Sequence, residues 1–106
     1  MHLKMLKKFH KKLIYMIYKK MLEHGFEGEK VPENHEILDW LREKKDIDVS
    51  INVYPTCSTK NKKHYDYTLS FNSDGINMVR IMPDETYYSY KIAEDEAIKA
   101  VLFKLL

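Results

Sequence analysis

Hydrophobic and polar positions are ordered most regularly between Ile47 and Met82. Ile47, Val49, Ile51 and Val53 fall on one side of an alternation and Asp48, Ser50 and Asn52 on the other. Residues 64–71 repeat it, with Tyr65, Tyr67, Leu69 and Phe71 opposed to His64, Asp66, Thr68 and Ser70. Alternation with period two marks strands with one dry and one wet face, as in an antiparallel sheet. Asn72-Ser73-Asp74-Gly75 then predicts a tight hairpin, a type I turn closed by a glycine bulge, since Gly75 takes positive φ without steric cost. A third strand is predicted over 76–82. Ile76 and Met78 hold one parity and Val79 and Ile81 the other, which predicts a bulge or a change of face near Val79. Pro83 has no amide to donate and ends the strand.

Outside this region the apolar period lengthens. Leu3, Leu6, Phe9, Leu13, Met16 and Ile17 recur at three- and four-residue spacing, predicting an amphipathic helix over 3–22 that ends near His24, before Gly25 and Gly28. Pro32 predicts the first turn of a second helix, with Ile37, Leu38, Trp40 and Leu41 as its buried side and Trp40 as the largest burial in the chain. A last helix is predicted from Tyr90 to Leu105. Its Ala93, Ala97, Ala100, Val101 and Leu105 face the sheet, and its small alanines allow close approach. Thr86 to Tyr90 reads either as a short extended piece or as the lead-in to that helix. The fold class that follows is α+β. A basic amphipathic helix and connector (1–30) precede an α-β-β-β-α unit (31–106), whose helices cover one face of a three-stranded antiparallel sheet.

Charge changes this picture in one place. Residues 1–30 hold eight lysines against three glutamates, whereas residues 31–106 hold ten basic groups against thirteen acidic ones. The helix face bearing Lys4, Lys7, Lys8, Lys11 and Lys12 has three readings: a solvated face, a contact for a polyanion, or attachment to a membrane surface. The first two are carried forward, and no membrane partner is expected. Lys60, Lys62 and Lys63 cluster in the loop between the first two strands, either as solvated residues that guard a strand edge or as a phosphate or partner contact. The apolar run Leu13–Tyr18, six residues between lysines, is too short for a signal core or a membrane span. With a single cysteine, Cys57, the expected location is the reducing cytoplasm.

Reactive chemistry is sparse. No glycine-rich phosphate loop is present, the five histidines are scattered, and no Cys/His quartet exists for zinc. Cys57 with His64 and Asp66 is the one nucleophile arrangement to name; an ordinary surface cysteine is the plainer reading. No cofactor and no enzymatic activity are expected. The wet side of the strands lacks aromatic platforms for single-stranded RNA, so the sheet reads as scaffold. Eight tyrosines are many for 106 residues, and Tyr87, Tyr88 and Tyr90 cannot all face inward on one element. Tyrosine is enriched at protein interfaces, so these three join the lysines as candidate contact residues.

The order helix, three strands, helix over 32–106 resembles the double-stranded-RNA-binding domain. That family opens its last helix with phosphate-gripping lysines, where this chain has Glu94-Asp95-Glu96. Its loop between the first two strands corresponds to the one carrying Lys60, Lys62 and Lys63. The resemblance implies a nucleic-acid-binding module using the basic helix and loop lysines. Through Asp39-Trp40-Leu41-Arg42-Glu43-Lys44, Tyr90 and Glu94 with Glu96-Ala97-Ile98-Lys99-Ala100, the chain also resembles small accessory proteins carried by phages and prophages of gut bacteria. This second resemblance implies a non-enzymatic protein that inhibits or modulates a larger host complex, such as a CRISPR-type defence nuclease. The expected partner is therefore a larger protein or ribonucleoprotein, with nucleic acid and a second copy of the chain as further candidates.

Overall fold

The two regular alternating segments pair along their whole length. β1 (Ile47–Pro55) and β2 (Lys63–Asn72) are antiparallel, with Ile47 opposite Phe71, Ile51 opposite Tyr67 and Pro55 opposite Lys63. The computed structural model describes residues 3–55 and 63–106, with side chains from Lys11 onward. Around the sheet lie α1 (Leu3–Glu23), α2 (Asn34–Lys45), β3 (Met78–Ile81) and α3 (Tyr90–Ala100), the last prolonged by a π-helical turn, Val101–Leu105. Strand order is β1-β2-β3.

The core lies between one face of this sheet and α2 and α3. Ile47, Tyr67 and Leu69 from the strands are buried with Ile37 and Leu41 of α2, and with Ala97, Ile98, Ala100, Val101 and Leu102 at the chain end. Among the described residues no helix packs on the opposite face, which includes Ser50, Asn52, His64 and Thr68. The α+β architecture with helices on one face is thus the one the alternation predicts. Ala93 and Ala97 have no exposed surface, as close contact between helix and neighbours demands.

β3 departs from the predicted strand. It has four residues and pairs without a bulge: Leu69 faces Ile81 and Phe71 faces Val79. Val79 and Ile81 therefore share the helix-covered side, while Met78 lies on the other parity. Ile76 belongs to the connection and is 86% exposed. The turn is also longer than predicted. Asp74 organises it, its carboxylate accepting from the Ile76 and Asn77 amides at 2.9 and 2.7 Å and from the Asn77 side chain at 2.9 Å. These bonds, the Asn77 amide's foremost, hold the Asp74 carboxyl below its usual range.

The helices carry smaller corrections. α2 begins at Asn34 rather than at Pro32, and Pro32 is buried ahead of the N-cap Glu33. The Asn34 side chain is drawn into tertiary bonds, donating to Glu94 Oε1 at 2.8 Å and Asp95 Oδ1 at 2.7 Å. Trp40 is only half-buried, standing edge-on to Phe26 with Lys45 over its ring. On α1 the inward face runs through Ile14, Ile17, Tyr18 and Met21, so Met16, placed in the predicted stripe, is exposed. The Tyr18 hydroxyl donates to the Gly28 carbonyl at 2.8 Å and ties the connector down. α2 ends at Asp46 in the left-handed region (φ 55°), its amide donating to the Leu41 carbonyl. A non-glycine residue is strained there, and its negative charge sits at the negative end of the helix dipole. Asp46→Gly is expected to stabilise the fold by about 0.5–1 kcal/mol, seen as a higher melting temperature.

Candidate binding surface

Pro83 creates the site by what it lacks. Leu69 pairs with Ile81, so two steps further in that register Tyr67 meets Pro83, a residue with no amide hydrogen for the ladder. The chain leaves the sheet and returns two residues out of register. There Tyr65 and Tyr87 exchange backbone hydrogen bonds of 2.8 and 2.7 Å. An extended segment pinned at Tyr87 sends successive side chains to opposite sides. Tyr87 stacks on Tyr67 with ring centroids 6.4 Å apart and planes 8° from parallel. Tyr88 turns to the helix-free face and packs on His64 at 5.4 Å. Ser89 caps α3, its Oγ accepting from the Ile92 amide at 3.0 Å. Tyr90 then stands edge-on to Tyr65 at 6.3 Å.

The expectation that the three tyrosines cannot all face inward is met unevenly. Tyr88 is 78% exposed and Tyr90 53%, whereas Tyr87 is half-buried and belongs to the packing beneath the surface. Lys63 is exposed at the start of β2, next to His64. Lys60 and Lys62, with Cys57, lie outside the described residues, as do the side chains of Lys4, Lys7 and Lys8. Lys11 and Lys12 are exposed on α1. Leu13, Ile14 and Ile17 share a groove with Lys91, Glu94 and Ile98 of α3, and α1 then meets the terminal π-helical turn.

Sequence reasoning missed Tyr54. It continues the polar parity of β1, lies opposite His64 and is 42% exposed, so the helix-free face does bear aromatic rings, Tyr54 and Tyr88, on either side of His64. Asp66 lies beside them, only 6% exposed, and accepts from Asn52 Nδ2 at 2.8 Å. Partial burial, then the Asp66 charge, pushes the Tyr54 hydroxyl above its ordinary range. His64 lies against Thr86 Oγ1, 3.2 Å from its Nδ1.

Tyr87 is pushed up to about 12, first by burial and then by its neighbours Tyr67, Glu85, Glu96 and Asp66. The folded state thus holds this proton more tightly than the unfolded chain, whose tyrosine titrates near 10. Its contribution is complete below pH 10 and is lost as pH rises toward 12. Wild type is expected to lose on the order of 1–2 kcal/mol more than Tyr87→Phe between pH 9 and 11.5, measured by urea unfolding.

Two hollows flank this end. One, of about 600 Å³, lies between α1, the start of α2 and α3, with Leu13, Ile17 and Ile98 as walls and the Asn34–Glu94–Asp95 cluster among its lining. The other, of about 710 Å³, lies under Tyr67, Tyr87 and Phe103. Glu33, His35 and Glu36 come within 4.8 Å of one another, but all are exposed at the positive end of α2, where the dipole opposes a cation. Among the described residues no helix is long and apolar enough to cross a membrane. Comparison with known protein families, curated proteins and solved structures gives no match.

Proposed function

We infer that this chain is a non-enzymatic binding module that docks on a larger protein through Tyr54, His64, Tyr88 and Tyr90, with Lys63 at the margin. The observation that carries this is the exposure of Tyr88 and Tyr90 on a backbone already fixed by the Tyr65 bridge and the Ser89 cap. Large aromatic surfaces held rigid before contact lose little conformational entropy on binding.

Local charge favours a protein over a phosphate backbone. Asp66, Glu85 and Glu96 all act on the tyrosines of this end. At the start of α3, where the double-stranded-RNA reading needs free lysines, Lys91 is bound to Asp95 at 3.0 Å, and further along Lys99 is bound to Glu96. The first partner to try is a host defence complex, the class the phage resemblance implies.

A photo-cross-linking amino acid at position 88 tests the reading, with the same group at Glu43, near the far end of α2, as control. An adduct with protein from position 88 alone, insensitive to nuclease, is expected. An adduct lost on nuclease treatment or raised salt transfers the surface to nucleic acid. Equal yields from both positions remove the site.

A further inference from the structure

The sheet has two edges, and the chain treats them differently. β3 is short and is followed at once by Met82 and Pro83, a blunted edge of the kind that resists pairing. β1 is nine residues long with no proline before Pro55, no lysine and no bulge. Its hydrogen-bonding direction follows from the partner strand. Tyr65 directs its amide and carbonyl to Tyr87, on the side away from β1. By alternation His64, Asp66, Thr68 and Ser70 point toward β1 and bond Tyr54, Asn52, Ser50 and Asp48. The amides and carbonyls of Ile47, Val49, Ile51 and Val53 therefore point outward. Among the described residues no strand pairs with them. Their side chains form the apolar row of β1, buried at Ile47, half-buried at Val49 and Ile51, and 53% exposed at Val53.

We propose that this edge pairs with β1 of a second copy, antiparallel about a two-fold axis at Ile51, so that two three-stranded sheets become one. The strand is its own complement in that register. Ile51 is the midpoint of Ile47–Pro55, so the whole strand is used. Val49 and Val53 of one copy exchange hydrogen bonds with Val53 and Val49 of the other, and the two Ile51 residues with each other. Pro55, which has no amide hydrogen, needs only to accept from Ile47. On the apolar side valine meets valine and isoleucine meets isoleucine, covering the exposed Val53. On the polar side Ser50 meets Asn52 and Asp48 meets Tyr54, so no like charges oppose. Registers centred on Val49 or Val53 leave part of the strand unpaired. An isologous contact of this kind closes as a dimer. The inference stands on backbone direction and strand composition, independently of the tyrosine surface.

Sedimentation equilibrium of the whole chain is the test. Wild type is expected at twice the 12.7 kDa of one chain, with a dissociation constant in about the micromolar range. Val53→Pro removes an outward amide at an exposed position without touching a bond to β2. It is expected to weaken the dimer at least about tenfold while circular dichroism is unchanged. Should that variant unfold, Ile51→Cys in a Cys57→Ser background decides. A short bis-maleimide is expected to link Ile51→Cys into dimers and to leave Asn72→Cys, at the far end of β2, single. A wild-type mass of one chain at every concentration overturns the proposal. So does a folded Val53→Pro that stays dimeric, or cross-linking at Ile51→Cys no stronger than at Asn72→Cys.

Discussion

Leu69→Ala is expected to cost about 3–4 kcal/mol of unfolding free energy, a large share of the roughly 5–15 kcal/mol such a domain has. Leu69 is 1% exposed on the middle strand, with Val49 on one side and Ile81 on the other. It points into the layer closed by α3. Neighbours fixed on three sides cannot collapse into the space of the lost methyl groups, so the cavity term adds to the transfer term. Chemical denaturation should show a lower midpoint with an unchanged slope. Leu69→Ile, which keeps the volume, should cost less than about 1.5 kcal/mol. Ile76→Ala, at the exposed hairpin tip, should stay within about 0.5 kcal/mol of wild type. If Leu69→Ala matched Ile76→Ala, the helices would not be packed on this face of the sheet.

Why β1 and β2 were legible while β3 was not follows from burial. In β1 and β2 the face against α2 and α3 must be apolar and the other face meets water, so composition alternates and register follows. β3 has only Val79 and Ile81 on the covered side, and Ile76 and Met78 are apolar without being buried. Apolar residues on the surface are common, and a pattern cannot separate them from core residues. Reading all four as core required a bulge or a change of face near Val79, and the regular pairing of β3 contains no bulge. The stripe on α1 went astray for the same reason, since Met16 is apolar and exposed while Met21 is wholly buried.

The tyrosine surface was half legible. Three tyrosines in four residues cannot share one side of an extended piece, and that much is geometry. Which of them turns inward depends on the pairing of Tyr87 with Tyr65, a contact across more than twenty residues that leaves no local pattern. Tyr54 was overlooked although it continues the parity of Asp48, Ser50 and Asn52. Only its position opposite His64, with Tyr88 arriving from elsewhere in the chain, makes it part of a surface.

Tyr88→Ala with Tyr90→Ala is expected to weaken binding to the partner by about 100-fold or more, which is near 3 kcal/mol. Both rings are exposed and make one described aromatic contact each, to His64 and to Tyr65. Their removal should cost the fold itself at most roughly 0.5–1 kcal/mol, so the loss is read in affinity and not in melting temperature. Tyr87→Ala should do the reverse, lowering stability through its lost stack on Tyr67 before it touches affinity directly. The contrast separates a binding role from a structural one within four consecutive residues. Phenylalanine sharpens it: Tyr88→Phe keeps the area and loses only the hydroxyl. Retained affinity there, with loss in Tyr88→Ala, means that ring burial drives the contact. Equal losses in both would place the energy in the hydroxyl, and a double alanine variant that binds like wild type would remove this end of the sheet from the interface.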